Sequence, residues 1–160
     1  MNNITVRRAL PEDYEVIGRL LYEISAQHHE GRPDLFAEAS TKYNREAYLE
    51  LLKDEHEIIF SACIDDGTVV GYMICQLIEQ GANPVLCDIK TLYIDDLCVD
   101  KAYRSCHVGQ HLMEAAEVYA KEIGCHNLTL NVWEFNEGAR AFYEKLGYGT
   151  QRRYMEKVLK

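Results

Sequence analysis

Val99-Asp100-Lys101-Ala102-Tyr103-Arg104-Ser105-Cys106-His107-Val108-Gly109-Gln110-His111-Leu112 reads as the end of a strand, a short turn and the start of a helix. Upstream, Leu92-Tyr93-Ile94-Asp95-Asp96-Leu97-Cys98-Val99 is strand-like; downstream, Val108, Leu112, Ala115, Ala116, Tyr119 and Ile123 recur at helical spacing until Gly124 closes the run. A strand-to-helix junction is a ready anion seat. The first amides of a helix have no intrahelical acceptor, and the helix dipole puts partial positive charge at the same end. Arg104 and small residues beside the opening would let a pyrophosphate approach the main chain.

Outward from the junction, element types alternate. Ile4-Thr5-Val6-Arg7 is a first strand, and Pro11-Glu12-Asp13 opens a helix carrying Tyr14, Ile17, Leu21 and Ile24 on one face. Ser25 to Ala39, with Gly31 and Pro33, is expected to turn, and Arg45 to Leu52 to form a second short helix. Ile58 to Ile64 and Val69 to Cys75 face each other across Asp65-Asp66-Gly67, a hairpin signal. His126 to Val132 is a strand, Asn136 caps a helix ending at Gly147, and Tyr148 to Leu159 is extended. The order is βααβββαβαβ in one domain over residues 1–160, without linker or low-complexity tract.

Composition narrows the classes. A chain of 160 residues that is 48% hydrophobic can bury its own core. No apolar run approaches the roughly 20 residues of a membrane span, and Met1-Asn2-Asn3 is no signal-peptide core, so a cytoplasmic protein without membrane partners is expected. The formal charge of −9, with no basic stripe, argues against nucleic acid and would attract a cationic acceptor. Six cysteines without a C-x-x-C pair read as reduced, mainly structural thiols, with no disulfide frame or zinc ribbon.

A second motif is more specific. Asn136-Glu137-Gly138-Ala139-Arg140-Ala141-Phe142-Tyr143-Glu144-Lys145-Leu146-Gly147-Tyr148 has the spacing Asn-(x)2-Ala-(x)2-Phe-Tyr-(x)3-Gly-Tyr. With the junction and the element order, it resembles the GNAT superfamily of acetyl-CoA-dependent N-acetyltransferases from end to end. The resemblance implies an α/β (α+β) fold, with a central mixed, mostly antiparallel sheet of about six to seven strands flanked by four helices. The superfamily's phosphate pattern is Gln or Arg, two residues, Gly, one residue, then Gly or Ala; here it is Arg104-Ser105-Cys106-His107-Val108-Gly109 followed by Gln110. His107 and Ser105 stand where glycines are usual, and amide donation survives there if the local φ is negative.

The resemblance also implies roles. Leu97, Cys98 and Val99 would pair with the pantetheine arm through the main chain, Arg104 to Gln110 would hold the pyrophosphate, and Asn136 and Ala139 would contact the coenzyme. Tyr143 would be the general acid that protonates the departing thiolate, a task suited to a phenol of pKa near 10. The plain alternative makes Asn136 an N-cap and Phe142, Tyr143 and Leu146 core. An alkyl amine is mostly protonated in the cell, so a base is needed, and Asp95 and Asp96 are the nearest candidates. Their strand is similar to that of the diamine and polyamine acetyltransferases, where an acidic pair binds the cationic substrate and relays its proton. Strand alternation would send the two carboxylates to opposite faces, leaving one for the acceptor pocket.

His28-His29-Glu30-Gly31-Arg32-Pro33-Asp34-Leu35-Phe36 falls where the superfamily builds its acceptor pocket. His28, Glu30, Asp34, Phe36 and Trp133 are the expected lining, with Phe135 a further aromatic nearby, and no metal is expected because a third ligand is missing. Tyr154, Met155 and Lys157 alternate as a terminal strand, in a position that closes the acceptor site or pairs two subunits of a homodimer. The expected activity is acetyl transfer from acetyl-CoA to a small cationic amine by direct attack in a ternary complex, since neither Cys98 nor Cys106 has an evident His-Asp partner. The alternatives are a protein N-terminal or lysine acetyltransferase and a non-catalytic acyl-CoA-binding sensor.

Overall fold

Alternating apolar residues become a five-stranded sheet in the order β1-β2-β3-β4-β5, four of its strands within the first hundred positions. The computed structural model describes residues 3–38 and 40–159; Met1, Asn2, Ala39 and Lys160, and with them part of the Met1-Asn2-Asn3 opening and the end of the Ser25–Ala39 turn, lie outside the described residues. The strands are β1 (Thr5–Arg8), β2 (Glu57–Cys63), β3 (Val69–Glu79), β4 (Lys90–Val99) and β5 (Asn127–Leu130). Neighbours are antiparallel except β4 and β5, which are parallel and joined through a helix as a parallel connection requires.

Four α-helices cover the sheet: α1 (Tyr14–Gly31), α2 (Arg45–Leu51), α3 (Val108–Glu122) and α4 (Glu137–Lys145). Strand alternation splits the core into two layers. Ile58, Phe60, Met73, Cys75, Leu92 and Ile94 meet Leu112, Met113 and Ala116 of α3 on one face. Ile59, Tyr72, Ile74 and Cys98 meet Ile17, Leu20 and Leu21 of α1 and Tyr48 of α2 on the other. Each such fully buried aliphatic side chain contributes about 1.5–3 kcal/mol relative to exposure. The chain enters α1 through a 3-10 turn, Pro11–Asp13, where Asp13 accepts from Leu10 N at 2.9 Å and from Ser61 Oγ at 2.7 Å while pairing with both Arg7 nitrogens.

Three expectations are corrected. The Ser25–Ala39 segment does not turn at once: α1 continues through Gly31, because Gln27 to Glu30 carry no breaker and Pro33 acts only after the helix ends. The sheet has five strands among the described residues rather than six or seven. The reason is the tail, where Tyr154, Met155 and Lys157 lie in an extended, exposed segment that forms no strand on this sheet.

Candidate active site

Pairing between β4 and β5 covers Thr91 to Ile94 only, although β4 runs on to Val99. From Asp95 to Val99 the strand therefore has a ladder neighbour on the β3 side alone among the described residues, which leaves an open edge whose wall is main chain. Leu97, Cys98 and Val99 lie on that wall. At its end Arg104 Nε donates to Val99 O at 3.3 Å, and a 3-10 turn, Lys101–Tyr103, capped by Asp100, leads to α3.

The N-terminus of α3 has no side-chain cap, and its first ladder bond runs from His111 N to His107 O. Among the described residues the Val108, Gly109 and Gln110 amides are thus left without backbone acceptors, beside an exposed Arg104. This donor set fits a pyrophosphate. Gly109 has a different reason for being small: a Cβ there would come within 3.1 Å of the Phe142 ring, so the glycine lets α3 and α4 touch.

The condition of negative φ in the turn is not met. Ser105 has φ 69° and His107 φ 63°, so both non-glycine residues occupy left-handed geometry. The backbone keeps the shape that glycine would adopt freely, at about 1–2 kcal/mol per residue. His107→Gly is accordingly expected to stabilise the fold by about 1 kcal/mol and to tighten binding of CoA by removing an imidazole beside the free amides. Denaturant titration with CoA calorimetry checks this, and a destabilised variant would refute it.

The acidic pair departs from simple alternation. Ile74 faces Asp96 and Cys75 faces Ile94, so Asp95 is the extra residue of a β-bulge. Asp96 shares a face with Ile74 and Tyr72, and Asp95 reaches the same side, accepting from Lys42 Nζ at 2.6 Å and from Tyr43 Oη at 3.3 Å. Both carboxylates enter one layer instead of opposite faces. They are not equivalent. Lys42 neutralises Asp95, whereas burial, followed by the Asp95 charge and opposed by Lys42, pushes the Asp96 carboxyl up to about 6. Tyr72 Oη, buried with no hydrogen-bond partner among the described residues, lies close enough to Asp96 to feel its charge.

Tyr143 approaches from the opposite layer. Its ring packs edge-on against Phe142 and Tyr148 at 5.1 and 6.0 Å, and burial, then Asp96 and Cys75, raise the phenol to about 12. Asn136 does cap α4, accepting from Ala139 N at 3.1 Å, so its amide nitrogen is what remains for a ligand. Cys98 is buried with its thiol raised to about 12, chiefly by burial, which suits a structural cysteine, while Cys106 is exposed; all six cysteines are free.

The acceptor segment forms an aromatic cluster. His28 and Phe36 rings lie 5.0 Å apart, Phe36 meets Trp133 edge-on at 5.0 Å, and Trp133 stacks on Phe135 at 6.1 Å. Gly31 permits this, since a Cβ there would fall 2.2 Å from the Phe135 ring. Burial and then Lys42 lower the His28 pKa, so its ring is neutral at pH 7. Asp34 is engaged by Arg32 through two bonds of 2.8 and 2.7 Å, and Glu30 is exposed.

The profile of the acetyltransferase (GNAT) family matches residues 15–148. The chain belongs to the GNAT acetyltransferase family. The uncharacterised N-acetyltransferase YhfO of Bacillus subtilis (strain 168) is 30% identical over 116 residues, covering 72% of this chain and 74% of its own. A crystallised mutant of the BH1408 protein from Bacillus halodurans superposes with a TM-score of 0.93 at 29% identity, covering 98% and 99% of the two chains. The aminoglycoside N-acetyltransferase AAC(6')-Iy in complex with CoA shares the fold, with a TM-score of 0.71 at 15% identity over 100% of this chain and 97% of that one.

As a GNAT enzyme, this acyltransferase has four polar residues near the cleft that no local pattern announced: Lys42, Tyr43, Tyr72 and Glu57. Lys42 lies 53 positions from Asp95, and only the fold brings them together. Glu57, bonded to Gln76 Nε2 at 3.0 Å and with Oε2 buried and unpartnered, has its carboxyl raised by burial. A carboxylate at the first position of an alternating strand was the available signal, and it reads equally well as a solvated strand end.

Proposed function

We propose that this GNAT acetyltransferase moves the acetyl group of acetyl-CoA to the neutral amine of a small cationic acceptor by direct attack in a ternary complex. The observation that carries the reading is the bulge at Asp95, which turns both carboxylates into one layer beside the opened β4 edge. Acetyl-CoA supplies an activated thioester. The free amides of Val108, Gly109 and Gln110 with Arg104 hold its pyrophosphate, and the main chain of Leu97 to Val99 holds its pantetheine arm. Asn136 and Ala139 border the same cleft.

Asp96 takes the proton from the acceptor's ammonium, directly or through one water, because a carboxyl raised to about 6 is ionised at pH 7 yet more basic than an ordinary aspartate. The amine nitrogen then forms the new bond to the acetyl carbon as the carbon–sulfur bond breaks, and Tyr143 gives its proton to the sulfur. Asp95, held by Lys42, positions the base. His28, Phe36 and Trp133 wall the acceptor side. The six free thiols agree with a cytoplasmic setting; no described helix is long and apolar enough to cross a membrane.

Acetyl-CoA-dependent thiol release against polyamines, aminoglycosides, amino acids and short peptides tests the reading. The largest kcat/KM is expected for a small cationic amine, and a response to peptides alone would shift the assignment to a protein N-terminus or lysine. The kcat/KM of the parent should fall as pH drops through about 6, because protonation of Asp96 removes the base. Asp96→Asn should lower the rate at neutral pH and abolish that acid limb; an unchanged limb would remove Asp96 from the role.

A further inference from the structure

One hydroxyl in the layer beneath α1 and α2 is buried with nothing to bond. Among the described residues Tyr48 and Tyr72 are the tyrosines with no exposed surface, and both pack with Ile17, Leu20, Leu21 and Ile59. Tyr48 Oη donates to Leu10 O at 2.8 Å, whereas Tyr72 Oη has no hydrogen-bond partner among the described residues. A buried hydroxyl without a partner is unfavourable, and phenylalanine would fill the same space without that penalty. Glu57 Oε2 is unpartnered too, but its other oxygen is bonded to Gln76 and the residue is half-buried at a strand end. Packing alone therefore does not account for a tyrosine at position 72.

Its neighbour in the sheet is the candidate base. Tyr72 faces Cys98 and Ile74 faces Asp96 across the β3–β4 ladder, so Tyr72 and Asp96 are diagonal neighbours on one face. Such pairs stand roughly 7–8 Å apart at the backbone, within reach of a long aromatic side chain. We propose that Tyr72 is the positioning residue of the base: its hydroxyl donates to one oxygen of the Asp96 carboxylate and leaves the other turned to the acceptor's ammonium. The bond forms as Asp96 ionises, when both of its oxygens become acceptors, with a small rotation of the carboxyl toward the phenol. Burial has the required sense. Tyr72 is closed off from solvent and Asp96 is half-buried, so the phenol stands on the inner side and the acceptor comes from the outer one. Burial, then the Asp96 charge, raise the phenol far above its ordinary value, so it stays protonated and serves as a donor. The other charged and titratable groups facing Asp96 are Lys42 from the segment before α2, Asp95 and Cys98 from β4, and Tyr143 from α4; α1 presents Ile17, Leu20 and Leu21 to this layer. Lys42 donates to Asp95 instead. The role of Tyr72 rests on Asp96 acting as the base.

Tyr72→Phe tests this, with carbon NMR of isotope-labelled aspartate side chains beside kcat/KM against pH. The variant keeps the ring in its apolar layer, so the chain stays folded, which thermal melting checks. In the parent, Asp96, identified as the signal that Asp96→Asn removes, is expected to titrate at about 6. A donor to the ionised carboxyl favours the charged form, so its loss should raise that midpoint by about one pH unit and carry the acid limb of kcat/KM up with it. The kcat above the limb should also fall, because the carboxyl is no longer held, while the KM for acetyl-CoA stays that of the parent. A midpoint that does not move, or moves down, overturns the inference whatever the rates do, and spares the catalytic reading of Asp96. A midpoint that rises while the limb stays fixed overturns Asp96 as the base, and the positioning role of Tyr72 falls with it.

Discussion

Tyr143→Phe lowers kcat by about 10²- to 10⁴-fold, the span of a positioned general acid, while CoA affinity is retained. The physical case is narrow. Burial, then the Asp96 and Cys75 charges, hold the phenol at about 12, so it is protonated at every physiological pH and remains able to donate to a developing thiolate. Phenylalanine keeps the ring contacts with Phe142 and Tyr148, and Tyr143 Oη makes no hydrogen bond among the described residues that the fold would lose. Rate and stability therefore separate. Steady-state kinetics beside thermal melting and CoA calorimetry give the three readouts, and a variant as fast as the parent would take the acid role from Tyr143. The same variant distinguishes an enzyme from an acyl-CoA sensor, whose ligand affinity would barely respond.

Asp13→Ala is expected to cost roughly 3 kcal/mol of stability, the lower end for removing one partner of a buried ion pair, because Arg7 is partly hydrated. Asp13 is 4% exposed and accepts from Arg7 Nη1 at 2.7 Å, Arg7 Nη2 at 2.9 Å, Leu10 N at 2.9 Å and Ser61 Oγ at 2.7 Å. All four donors lose this acceptor together, and Arg7 Nη1 keeps Arg8 O at 3.1 Å. Burial pushes the carboxyl up, but Arg7, Leu10 and Ser61 together outweigh it and hold its pKa below the ordinary value. Its stabilisation is therefore fully present above the unfolded carboxylate pKa of about 3.9 and is lost as pH falls through the lower folded value. Denaturant titrations at pH 7 and in acid check both parts: the gap between parent and variant should be wide at pH 7 and shrink in acid. A gap independent of pH would mean that the carboxylate's charge is not what stabilises this corner.

Several features followed from local pattern because their causes are local. The 3.6-residue spacing of Val108, Leu112, Ala116 and Tyr119 made α3, Asp66-Gly67 made the β2–β3 turn, and Asn136 made the start of α4. The Asn-to-Tyr spacing placed Tyr143 within one helix, where geometry is nearly fixed by sequence separation. The strand-to-helix junction at Val108, with its free first-turn amides, was legible for the same reason.

Other features are tertiary. A bulge arises from the register between two strands, so alternation read along β4 alone sent Asp95 and Asp96 apart when pairing with β3 turns them to one side. The positive φ at Ser105 and His107 is imposed by the path from β4 into α3, against the preference of both residues. The strand-like alternation of Tyr154, Met155 and Lys157 is real, but a strand also needs an edge to pair with, and this sheet does not receive it. Lys42 beside Asp95, and the basicity of Asp96 that follows from burial, come from contacts across 53 residues of chain. Sequence by itself determined the helices, the turn chemistry and the family to which the chain belongs, since those rest on neighbours a few residues apart. The fold alone decided that the Asp96 carboxyl is pushed up to about 6, because a pKa is set by the charges and the burial that distant segments bring to it.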